Sequence, residues 1–220
     1  MTGPKLKSYL LDQIAHDEEA ELLESKEPGC VVAYDYQYSR RIRFYTKLRT
    51  RKAFKQIIHT GPSITLTDDQ KTEIAKVLTK LGRDVTLNLA GIFILKTPDD
   101  MYEICQQLEL DDELIPDNLF DEDNDGNEIL NPELVGMHWF QESIVLINIQ
   151  AMQTATEAFY EPGSWEYNQE IETGFWTTLI HEVRHNQMDS TPYELPWLQD
   201  NATTEESVEN WARAKYEELF

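Results

Sequence analysis

Apolar positions Leu6, Tyr9, Leu10, Ile14 and Leu22 recur at nearly helical spacing, which predicts an amphipathic helix over residues 5–25, ended by Pro28-Gly29. From Val31 to about Ile58 the period shortens. Alternation in Arg41-Ile42-Arg43-Phe44 and from Tyr45 to Arg49 predicts one or two half-buried strands with charges on the wet face. Gly61-Pro62 breaks the chain. Thr67 or Asp68 then caps a helix that carries Ile74, Val77, Leu78 and Leu81 on one face and stops at Gly82. Val85 to Leu95 is the strongest strand signal, with Gly91 marking a bulge or a close approach. A short helix near 99–109 follows Pro98, and residues 111–133 read as an acidic loop. Ser143 to Ile149 reads as an apolar strand, and residues 173–188 and 203–219 as helices. The class is α+β, with no internal repeat and no linker long enough to divide the chain. Residues 1–60 form an N-terminal helix and basic strand segment, and residues 61–220 the main domain; whether the first is part of the second is open.

Composition narrows the class of function. The chain has 220 residues, 40% of them hydrophobic, with five Trp, ten Tyr and eight Phe, which is enough to build a core and argues against disorder. A net charge of −22 argues against general nucleic-acid or anionic-lipid binding. No run approaches the ~18 to 20 apolar residues of a membrane span. The N-terminus lacks the apolar core of a signal peptide, and two cysteines, Cys30 and Cys105, are too few for a disulfide scaffold. The expectation is a soluble cytoplasmic protein. The charge is uneven, however. Residues 36–55 hold Arg40, Arg41, Arg43, Lys47, Arg49, Arg51, Lys52 and Lys55 and no acid, whereas residues 56–220 carry a net −25. With Tyr36, Tyr38, Phe44, Tyr45 and Phe54 interleaved, segment 40–55 suits a local contact with single-stranded nucleic acid. The stronger expectation is that this strand neutralises carboxylates of its own chain.

One motif carries chemistry. His181-Glu182-Val183-Arg184-His185 has the spacing H-E-x-x-H. Positions four apart on a helix share a face, so both imidazoles can reach one metal ion, and two imidazoles suit zinc. Glu182 is offset by about 100° of helical turn, close enough to take a proton from a water held by the metal without ligating it. Five His and 25 Glu in the chain make a chance match rare, roughly 0.01 per sequence of this composition. The preceding Phe175-Trp176-Thr177-Thr178-Leu179-Ile180 reads as a buried helical segment that brings the histidines out at a core edge.

On these residues the chain resembles the zincin metallopeptidases, and within them the gluzincin branch. Met188 stands where a metzincin would have glycine, and residue 191 is Thr rather than a third histidine. In gluzincins the third ligand is a Glu on a later helix, often followed four positions on by an acidic residue that orients a ligand histidine. The C-terminal helix offers Glu205, Glu206 and Glu209. Glu205 falls about 60° from Val208 on the apolar face, Glu209 about 100° and Glu206 about 160°. Glu205, 20 residues after His185, is therefore the expected third ligand and Glu209 the supporting acid, with the exchanged assignment open. The chain departs from the family pattern in having Glu rather than Asp at the supporting position.

The resemblance implies a minimal zincin-like domain: a small mixed sheet packed on the motif helix, then a C-terminal helix with the third ligand. It implies peptide-bond hydrolysis on a polypeptide substrate, with Glu182 as general base. It also implies that the strand at 143–149 lies at the sheet edge beside the cleft, where an extended peptide can pair. Tyr193 is the candidate for stabilising the oxyanion, with His138 and Arg184 behind it. A different reading is a binding protein that keeps zinc for structure and turns nothing over. A third is a calcium-binding interaction module at 121–128, because Asp121-Glu122-Asp123-Asn124-Asp125-Gly126 opens like a calcium loop, with Ca2+ at Asp121, Asp123 and Asp125. Its second half departs from that pattern, with Glu128 at position eight and Pro132 at position twelve.

Overall fold

A computed structural model of the chain describes residues 3–17, 20–24, 30–37, 40–45, 49–189 and 205–220. In chain order the elements are α1 (Gly3–His16), β1 (Ala20–Leu23), β2 (Cys30–Asp35), β3 (Arg40–Tyr45), α2 (Arg51–Gln56), β4 (Ile58–Thr60), α3 (Asp68–Leu81), β5 (Gly91–Leu95), α4 (Pro98–Leu108), β6 (Phe120–Glu122), β7 (Glu128–Leu130), β8 (Gly136–Trp139), β9 (Ile144–Asn148), α5 (Ile149–Glu157), α6 (Trp165–Asp189) and α7 (Glu205–Leu219). The chain is α+β. Among the described residues no helix is long and apolar enough to cross a membrane.

The helix expected over 5–25 stops at His16. Asp17-Glu18-Glu19 follows, and negative charge at a helix C-terminus opposes the dipole. Ala20–Leu23 instead adds an antiparallel strand to β2, which pairs in turn with β3, and Leu22 is left exposed rather than on a helical core face. Leu10 and Ile14 of α1 cover this three-stranded sheet at Val31, Ala33 and Phe44.

The main sheet has the order β4-β5-β9-β8. The first three strands are parallel, and β8 runs antiparallel to β9. Strand β4 at Ile58–Thr60 pairs with β5, and Phe54 of α2 packs into the core beneath the sheet. Strands β5 and β9 are buried along their whole length, as continuous apolar runs covered on both faces should be. Ile92, Ile94, Val145 and Ile147 face α3, α6 and α7, while Phe93, Leu95 and Leu146 face α4 and the Leu119 to Leu130 region. Helix α3 begins and ends where its caps dictate: Thr67 and Gln70 form a capping box, and Gly82 closes the helix at φ 90°.

Three further expectations change. Only Gly91–Leu95 of the 85–95 run is strand, matching the five residues of β9 that pair with it; before it, Arg49 donates to the carbonyls of Thr86 and Leu89 at 2.6 and 2.7 Å. The acidic 111–133 stretch contains two short 3-10 turns and the hairpin β6–β7. Strand β9 lies inside the sheet, and the edge position falls to β8.

Within the basic segment, Arg43 donates to the backbone carbonyl and carboxylate of Glu142, both at 3.2 Å. Lys55 pairs with Asp68, and Arg49 lies over the Tyr45 and Phe54 rings. These cations hold the chain's own acids, carbonyls and rings.

Candidate metal centre

Helix α6 runs 25 residues, about 37 Å. Leu179, Ile180 and Val183 face the core, which leaves His181 and His185 at its edge. Val208 and Ala212 are the buried residues of α7, and that packing sets Glu205 and Glu209 beside the two histidines.

The Nε2 atoms of His181 and His185 are 3.0 Å apart. The Glu205 carboxylate spans them, with Oε1 2.9 Å from His181 Nε2 and Oε2 3.0 Å from His185 Nε2. Among the described residues, this is the group of three or more whose ligand atoms lie close enough, within 4.8 Å, to hold one metal ion. A tetrahedral zinc with bonds of about 2.0–2.1 Å sets its ligands roughly 3.3 Å apart. The observed spacings meet that with shifts of a few tenths of an ångström, and two imidazoles plus one carboxylate is a donor set that leaves a fourth position open. The residues fit zinc.

Glu209 Oε2 stands 3.3 Å from His181 Nδ1, an ion-pair distance rather than a well-formed hydrogen bond, and Glu209 Oε1 accepts from Arg213 at 2.9 Å. Burial and the neighbouring His185 ring hold the His181 pKa below its ordinary value, outweighing the pull of Glu205 and Glu209. A neutral ring is the form with a lone pair to give.

Glu182 is 8% exposed and lies on the wall of a cleft of about 410 Å³ lined also by Glu133, Gly136, Thr178, His181, Glu205 and Glu209. Gly136, the first residue of β8, packs closely against α6. A Cβ there would stand 2.3 Å from Thr178 Cγ2 and 3.0 Å from both Cγ and Oε1 of Glu182. Only hydrogen fits between strand and helix at the turn that carries Glu182. Gly136→Ala is therefore expected to cost about 1–3 kcal/mol by overpacking. Adding Thr178→Ser, which removes the obstructing methyl, should return part of that. Urea unfolding of the two variants and the native chain reads the cycle, and a Gly136→Ala chain of native stability would show that the contact gives freely.

Tyr193 lies outside the described residues. His138 is on β8 but meets Asn186, whose amide, oriented to satisfy its neighbours, donates to His138 Nε2 at 3.1 Å and to the Ser143 carbonyl at 3.2 Å. Arg184 lies over the Trp211 ring on α7 at 4.9 Å and donates to Gln187. Neither lines the cleft. Asp121, Asp123 and Asp125 are not gathered round a point. Asp123 turns inward to accept from the N–H groups of Asp125 and Asn127 and from the Asn127 side chain, which closes the β6–β7 turn and holds its carboxyl below the usual range.

Strand β8 and Glu133 escape a reading by period, because the strand is four residues long. The signal available was a glycine inside Val135-Gly136-Met137-His138, since glycine within a strand marks close backbone approach. No family model, curated protein or solved structure matches the chain.

Proposed function

We propose that the chain is a zinc-dependent peptidase. The observation that carries this reading is a single carboxylate, Glu205, set against both imidazoles of a helical pair whose intervening Glu182 is buried on the cleft wall. His181, His185 and Glu205 would hold the zinc, with Glu209 beside His181 Nδ1 to fix that ring. When bound, zinc supplies a Lewis acid that polarises a carbonyl and lowers the pKa of water to about 7.

The chain's own residues supply the rest. In peptide hydrolysis the attacking water loses a proton and the leaving amine gains one, and Glu182 is the cleft carboxylate placed to take the first and return the second. Strand β8 would hold the substrate. Val135 accepts from the Asn148 N–H at 3.0 Å, so by the alternation of an antiparallel pair Val135, Met137 and Trp139 bond inward to β9. Gly136 and His138 then present N–H and C=O to the open edge, where an extended peptide can pair beside Glu182.

Metal analysis of the protein purified without chelator tests the site. One zinc per chain is expected, falling to none in the double variant His181→Ala/His185→Ala together with all hydrolysis of unfolded protein substrates. A native chain that binds no zinc, or a double variant that still cleaves, would overturn the proposal. Zinc held stoichiometrically with no cleavage would favour a binding protein with structural metal.

A further inference from the structure

Among the described residues, the cleft is lined by four carboxylates and by no Lys or Arg. In the reading above three of them have work: Glu182 moves the proton, Glu205 ligates, and Glu209 pairs with His181 and Arg213. Glu133 has none. Its carboxylate makes no hydrogen bond or ion pair with any described residue. Its backbone N–H donates to Asn131 Oδ1 at 3.0 Å, and the Leu134 N–H to the Asn131 carbonyl at 3.2 Å, so a turn fixes it at the cleft lip. It stands three residues before Gly136, hence no more than about 10 Å from the point where strand and Glu182 meet. A peptide extended along β8 covers that distance in three residues.

The surroundings repel negative charge there. Residues 97–183 contain 21 Asp and Glu and no Lys or Arg, and they include β8, the first nineteen residues of α6 and the turn bearing Glu133. No cation of that stretch competes for the Glu133 carboxylate, and an acidic substrate side chain would meet like charge.

We propose that Glu133 is a specificity-determining residue, which makes the cleft select polypeptides with Lys or Arg within three residues of the bond to be cut. This rests on the peptidase reading. Backbone pairing with β8 supplies affinity blind to sequence, and the ion pair to Glu133 ranks the sequences.

Digestion of a peptide library, made by cyanogen bromide cleavage at methionine so that Lys and Arg remain internal, tests it by mass spectrometry of the new ends. For the zinc-loaded native chain at low salt, basic residues should be enriched about three- to fivefold within three positions on one side of the cut, the scale of an exposed ion pair. Glu133→Gln should abolish the enrichment, and Glu133→Lys should replace it with enrichment of Asp and Glu. The ratio is internal to each digest, so partial loss of folded enzyme does not move it. Cleavage without basic enrichment, or enrichment that survives Glu133→Gln, overturns this inference while leaving the peptidase reading intact. No cleavage by the native chain overturns the peptidase reading, and the inference with it.

Discussion

Glu182→Gln is expected to keep one zinc per chain and to lower kcat/KM for peptide cleavage by about 10²- to 10⁴-fold, the usual worth of a positioned acid–base group. The substitution preserves shape where shape matters. Glu182 Cγ and Oε1 sit against the backbone of Gly136, and an amide of the same outline keeps that contact. Neither His181, His185 nor Glu205 is altered. What is lost is the capacity to accept a proton. Zinc content by mass spectrometry and initial rates on one fluorogenic peptide read the two effects separately. A Gln variant within about threefold of the native rate would remove Glu182 from the chemistry.

The largest expected effect on stability lies away from the cleft, at Asp100. This carboxylate is fully buried and accepts from the N–H groups of Ser63, Lys96 and Thr97 at 2.9, 2.8 and 3.0 Å and from the Ser63 hydroxyl. It caps the start of α4 and ties the 61–63 turn to the end of β5. Gly61 packs so closely that a Cβ there would stand 2.3 Å from Asp100 Cα. Asp100→Ala strands four donors, and we expect a loss of about 3 kcal/mol or more. Burial alone would raise the carboxyl pKa, but the bonds from Ser63, Lys96 and Thr97 outweigh it and hold the group below its ordinary value. A carboxyl whose folded pKa is depressed contributes stability above its unfolded pKa, near 4, and loses it as pH falls through the folded value. Urea midpoints of the metal-free native chain should therefore fall more steeply below pH 4 than those of Asp100→Asn, which has no such proton to take up. Parallel pH profiles would sink the argument.

Elements whose ends carry local chemistry were legible from residues alone. Thr67 and Gly82 bound α3, Pro98 opens α4, and the angular positions of Glu205 and Glu209 about Val208 match the side of α7 that meets His181. What escaped depends on partners distant in sequence. Leu22 continues a helical period, yet its backbone pairs with Ala33 across a sheet. The 85–90 stretch has the residues of a strand but meets β3 at one bond, from the Tyr45 N–H to the Leu87 carbonyl, and Arg49 takes the carbonyls of Thr86 and Leu89. Ser143 to Ile149 reads equally well as edge or interior, because only the arrival of β8 on its far side decides. Gly136 was the least conspicuous and the most consequential, since the constraint on it comes from Thr178 and Glu182, more than forty residues later.

The approach of Glu205 to His185 has a consequence for the topology of the chain. The two positions are 20 residues apart, and whatever joins their side chains turns the intervening stretch into a closed ring. A ligand that binds only the folded donor set stabilises that closure by mass action, by about 2.7 kcal/mol at a hundredfold its dissociation constant. The clasp would thus act as a removable staple holding the C-terminal helix against α6. The same contact that assembles the donor set would add to the packing of Val208 and Ala212, so that the last sixteen residues are held more firmly when the set is filled.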